Sequence, residues 1–68
     1  MMLTQAGRRV RLAARTVGTH HAACVELIDA ASGEVVWSSD LVPAGWDLTE
    51  RERDARRYAA RQWLRVQS

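Results

Sequence analysis

The stretch Asp47 to Val66, DLTERERDARRYAARQWLRV, decides the fold, because its apolar residues recur at helical spacing. At about 100° per residue, Leu48, Ala55, Ala59, Trp63 and Val66 fall on one narrow stripe with Tyr58 on its flank. This predicts one amphipathic helix over 48 to 66. Thr49 and Glu52 have the spacing of a capping box, with Asp47 and Glu50 as a competing start. Glu50, Glu52 and Asp54 precede Arg57, Arg61 and Arg65, the order that the helix dipole favours. Such a stripe has to be buried, so the residues before it must supply a surface.

Working back from the helix, three stretches read as strands. From 8 to 17, Val10, Leu12, Ala14 and Thr16 alternate with Arg9, Arg11, Ala13 and Arg15. Gly18-Thr19 suits a two-residue type II′ turn, which would set Ala14 opposite Ala23, Leu12 opposite Val25, Val10 opposite Leu27 and Arg11 opposite Glu26. The second strand spans 20 to 29 and turns through Ala30 to Gly33. A three-residue loop there sets Leu27 opposite Trp37, Val25 opposite Ser39 and Ala23 opposite Leu41, so that all share one face; a four-residue loop would split that face. The third strand spans 34 to 42 and ends before Pro43, leaving no proline in either edge strand.

The expected fold is α+β: a three-stranded antiparallel β-meander packed on one face by a single C-terminal helix, β-β-β-α, as one domain over 8 to 68 after a flexible arm over 1 to 7. Its core would take Val10, Leu12, Ala14, Ala23, Val25, Leu27, Val35, Trp37 and Leu41 from the sheet. The helix would add Leu48, Ala55, Tyr58, Ala59, Trp63 and Val66.

Sixty-eight residues bury little surface, and the single cysteine excludes an internal disulfide, so oligomerisation is the expected source of further burial. No apolar run suits a signal peptide or reaches the roughly 20 residues of a membrane span, which predicts a cytoplasmic protein without membrane contact. The net charge is +2, and all ten basic residues are Arg. Residues 1 to 19 carry +4, 20 to 48 carry −5 and 49 to 68 carry +3, so neighbouring segments can neutralise one another within the fold.

Residues able to do chemistry are sparse. His20, His21 and Cys24 supply at most three ligands on alternating strand faces, short of a closed zinc site, and no third group orients a Cys–His pair. Asp29, Glu34 and Asp47 sit where turns and helix starts use acids, and the four glycines stand singly, so no phosphate loop is present. The expectation is a protein that is not an enzyme, with no catalytic or metal residue, no cofactor and no small-molecule substrate.

One helix covers one face of a sheet, which directs attention to the other face. That face would carry Arg9, Arg11, Arg15, Glu26, Ile28, Val36, Ser38 and Val42, an apolar patch fringed by charge. Such patches mark interfaces, so the leading expectation is a protein-binding module, most simply a homodimer joined through this face or through an edge strand. The alternative is nucleic acid, held by Arg9, Arg11 and Arg15 or by the helix row Arg53, Arg57, Arg61 and Arg65. Against it stand Glu26 and Asp40 on the arginine face and the intrahelical pairs Glu52–Arg56 and Asp54–Arg57. In element order alone, three strands then a helix, the chain resembles the DNA-reading domains of tyrosine-type integrases and plant AP2 factors.

Overall fold

A computed structural model describes residues 7–19 and 21–67. The chain is a small α+β fold in the order β1 (Arg9–Val17), β2 (Ala22–Asp29), β3 (Val35–Ser38), β4 (Val42–Pro43), α1 (Thr49–Arg61) and β5 (Arg65–Gln67). The expected arm over 1 to 7 lies outside the described residues except for Gly7, whose N–H donates to the Trp63 carbonyl at 3.0 Å. The sheet order is β3-β2-β1-β5, with β4 also against β2. The antiparallel meander therefore gains a parallel strand, β5 against β1, and the sheet is mixed.

That extra strand follows from how α1 ends. The helix stops at Arg61, five residues short of its expected end at 66, because the chain turns back on itself. The Leu64 N–H donates to the Ala59 carbonyl at 2.8 Å and the Trp63 N–H to the Ala60 carbonyl at 3.2 Å, the paired bonds of a Schellman motif. Trp63 takes the left-handed position at φ 63°, where glycine is usual and an L side chain costs about 1–2 kcal/mol. Leu64 then packs on the core that contains Ala59. Val66 reaches the core as expected, but from a strand, with Val10 as its partner.

The start of the helix also differs in its bonds. Thr49 lies inside the first turn, so the Thr49–Glu52 box does not form; the Asp47 carboxylate instead accepts both the Thr49 N–H at 2.9 Å and the Thr49 hydroxyl at 2.6 Å. Those two bonds, the hydroxyl's first, hold the Asp47 carboxyl below the usual carboxylate range.

The first hairpin has a four-residue connection, 18–21, because the observed register sets Val17 opposite Ala22. His20 within it lies outside the described residues. Leu12 faces Leu27, Ala14 faces Val25 and Arg11 faces Ile28, two residues displaced from the two-residue loop. A two-residue slip keeps every side chain on its expected face.

The second hairpin combines both candidate registers. Asp29 Oδ1 accepts the N–H groups of Ala31 at 2.7 Å and Ser32 at 3.1 Å, and Gly33 takes φ 81°, which fixes a four-residue loop closed by the Asp29 N–H to the Glu34 carbonyl. A β-bulge between Leu27 and Ile28 then absorbs one residue, so that Leu27 faces Trp37 as expected. The cost falls on Val35, which faces Ile28 and is 44% exposed, while Val36 packs against the core.

A second slip follows at Ser39. Its N–H donates to the Val25 carbonyl at 2.8 Å, and its hydroxyl accepts the Val25 N–H at 2.9 Å in place of a backbone carbonyl. Beyond it Ala23 faces Val42 rather than Leu41, and Pro43 enters the edge strand opposite Ala22. Val42 is accordingly 5% exposed and Leu41 57%.

The core is Val10, Val25, Leu27, Ala55 and Ala59, with Leu12, Trp37, Leu48, Tyr58, Leu64 and Val66 packed around it. Trp37 stacks on Tyr58 with ring centroids 5.9 Å apart. A helix of 13 residues is about 20 Å long, against about 30 Å for the nine residues of β1, so α1 cannot cover the far end of the first hairpin. Ala14, expected in the core, is exposed although its partner Val25 is buried, because α1 packs chiefly over β2 and β5, and Trp63 leaves the core with the end of the helix.

The register of β4 is open to a direct test. Val42→Ala should cost about 1–2 kcal/mol through lost burial, while Leu41→Ala should stay within about 0.5 kcal/mol. Urea midpoints read the difference, and a larger loss from Leu41→Ala would return Leu41 to the core.

Candidate nucleic-acid interface

The ladder pairings define the face that α1 leaves uncovered. Val10, Val25 and Leu27 point toward the helix, so their strand neighbours point away, and residues paired across strands share a side. The successive rows of that second face are Arg65 with Arg9; then Gln67, Arg11, Ile28 and Val35; then Ala13, Glu26 and Ser38; then Arg15 with Cys24.

The expected interface residues are thus split. Arg9, Arg11, Arg15, Glu26, Ile28 and Ser38 lie together on this face. Val36 packs against the core, and Val42 pairs with Ala23 on the helix side. The apolar part of the face narrows to Ile28, Val35 and the small residues beside Cys24.

Of the arginines weighed for nucleic acid, Arg65 leaves the helix row and joins Arg9 and Arg11. It does so because β5 runs parallel to β1, where Arg9 and Arg65 are direct partners. Arg53 and Arg61 stay exposed on α1, and Arg57 lies 3.8 Å from Asp54. The expected Glu52–Arg56 pair is not among the ion pairs of the described residues; Arg51 lies 3.9 Å from Glu50 instead. Nothing in the sequence pattern points to Arg65, because its place depends on a helix end without glycine.

Three acids around this face, Glu26, Asp40 and Asp29, are committed to other arginines. Glu26 is 5% exposed and accepts from Arg15 Nη1 at 2.9 Å. Asp40 accepts two parallel bonds from Arg51 of α1, both at 3.2 Å, which lower the Asp40 carboxyl below its ordinary range and raise the Arg51 guanidinium. Asp29 binds Arg8 Nε, with the Ser32 N–H, this guanidinium and the Ala31 N–H, in that order, lowering its carboxyl.

Among the described residues, Arg9, Arg11 and Arg65 are exposed and make no ion pair. Three unneutralised guanidinium groups on two adjacent strands, two of them direct partners, repel one another. An anion laid across β1 and β5 would relieve that repulsion, and guanidinium forks suit phosphate oxygens.

The remaining polar residues offer less. His21 is exposed and Cys24 is free and buried, His20 lying outside the described residues. No group of three His, Cys, Asp or Glu suited to a metal occurs among the described residues, and no helix there is long and apolar enough to cross a membrane. No family model, curated protein or solved structure matches the chain.

The Arg8–Asp29 pair gives a pH test of how this end of the sheet is held. A lowered folded pKa contributes stability above the unfolded aspartate value, about 3.9, and loses it as pH falls through the folded value. Asp29→Asn should therefore be less stable than the parent at neutral pH, with the gap closing progressively as pH falls below the unfolded aspartate value and through the lowered folded one. Denaturant midpoints at stepped pH measure it; an unchanged gap in strong acid contradicts the ion-pair account.

Proposed function

We propose that this chain is a non-catalytic binding module that engages nucleic acid through the sheet face opposite α1. The observation that carries the reading is the convergence of Arg9, Arg11 and Arg65 on two adjacent strands without a carboxylate partner among the described residues. The two acids that weigh against phosphate in the sequence, Glu26 and Asp40, are each held by another arginine. Arg9, Arg11 and Arg65 supply the phosphate contacts, with Arg15 at the border of the patch neutralising Glu26. The helix arginines Arg53, Arg57 and Arg61 act as a solvated face.

Fluorescence anisotropy with labelled oligonucleotides tests this. Three phosphate contacts give a slope of log affinity against log salt of about −2 to −3. Arg9→Gln, Arg11→Gln and Arg65→Gln together should abolish binding, while Arg53→Gln, Arg57→Gln and Arg61→Gln together should leave most of it. Absence of salt-dependent binding at low ionic strength, or the reverse ranking of the two triple variants, sinks the reading.

A second reading, self-association, is favoured by one observation. Among the described residues β5 pairs only with Arg9 to Arg11, so the edge of β1 from Leu12 to Val17 has no strand beside it. A second copy could add there antiparallel, next to the exposed Ala14 and Thr16. The other edge is less suited, being bulged and carrying Pro43. Light scattering after size exclusion at micromolar concentration is expected to give twice the chain mass under this reading, and a stable monomer removes it.

A further inference from the structure

Resting on the nucleic-acid reading, we infer that the ligand is single-stranded, and that Trp63 is the platform on which one of its bases stacks. Two observations set Trp63 apart. It holds φ 63° at the helix end, a backbone conformation that glycine adopts without strain and a bulky residue does not. Its side chain is not repaid by burial, being 69% exposed. A residue chosen for stability alone at this position would be glycine.

The position is also the right one. The Trp63 carbonyl accepts the Gly7 N–H at 3.0 Å, and the Arg65 N–H donates to the Arg8 carbonyl at 2.8 Å, so the turn is bonded to the start of β1. A Cβ placed on Gly7 would lie 3.7 Å from Arg65 Cδ, so the Arg65 stem runs alongside Gly7. The backbones of Trp63, Arg65 and Arg9 are thereby gathered at one end of the sheet, an exposed aromatic two residues along the chain from Arg65, which like Arg9 makes no ion pair among the described residues.

That combination distinguishes ligand classes. Guanidinium groups alone bind the backbone of duplex and single strand alike. An exposed indole adds most where a base face is free to stack on it, as in a single strand, since the bases of a duplex are already stacked on one another. Sequence-tolerant single-strand binders combine these two elements, charge along the backbone and an aromatic face under a base.

The test uses the full chain with a labelled oligo-dT and a duplex of the same length, at low salt. The parent should bind the single strand more tightly than the duplex, with quenching of indole emission on saturation. Trp63→Gly should keep or raise the melting temperature, since glycine suits the left-handed turn, yet weaken single-strand binding about ten- to a hundredfold. Its duplex binding should be unchanged, and Trp63→Phe should recover much of the loss. Trp46→Ala, which removes the exposed indole at the other end of α1, should leave both affinities as they were. Equal single-strand affinity in Trp63→Gly and the parent overturns the stacking role while leaving the arginine reading intact; no binding by the parent to either probe overturns both.

Discussion

The bond from the Leu64 N–H to the Ala59 carbonyl is the constraint on which the arrangement depends. Were α1 to run on to Val66, as its apolar stripe suggests, Trp63 would face the sheet and Arg65 would extend the helical row of arginines. Closing the helix at that bond instead frees Arg65–Gln67 to lie along β1. The parallel pair needs a crossover, and α1 supplies it by carrying the chain from the β3–β4 edge of the sheet to the β5 edge. Val66 then covers Val10, one of the most deeply buried side chains, from a strand. The same step that completes the core builds the arginine cluster on the reverse side, because alternate residues of β5 point to opposite faces.

Much of this was legible in residue order, and its limits are local. The alternation in Arg9–Val17 and Ala22–Asp29, the single helix and the burial of Val10, Val25, Leu27, Ala55 and Ala59 all follow from apolar period. Register does not, since it is set by bonds that apolar pattern cannot count. The Asp29 carboxylate chooses a four-residue loop where the pattern alone favours three, and a bulge restores the facing of Leu27 with Trp37. Ser39 lends its hydroxyl to the ladder, after which Val42 rather than Leu41 turns inward. Each event shifts one residue, and a one-residue shift reverses a side chain's face. That is why Val36 and Val42, weighed as parts of an outer patch, lie with the core and the helix side.

Charge was legible by segment and not by residue. A basic start, an acidic middle and a mixed end anticipate neutralisation between β1, the second hairpin and α1, and the pairs Arg8–Asp29, Arg15–Glu26 and Arg51–Asp40 realise it. The acids of the middle segment are largely consumed by these three pairs, each linking different parts of the chain. What is left over is informative because of where it lies. Arg53, Arg56 and Arg61 are spread along the exposed side of α1, whereas Arg9 and Arg11 come from the first segment and Arg65 from the last, and only the β1–β5 pairing brings those three together.

Local choices in a folded chain usually agree with the whole, and departures that nothing nearby compensates point to function. Two such departures meet at this end of the molecule. One is electrostatic: Arg9 and Arg65 stand side by side although no described carboxylate answers them. The other is conformational: Trp63 occupies a glycine position and exposes its indole to water. Self-association along the open edge of β1 would account for neither, since that edge begins at Leu12, beyond the three residues that β5 covers. The proposed single nucleic-acid strand would account for both, because its phosphates would answer the arginines and its unpaired bases would answer the indole.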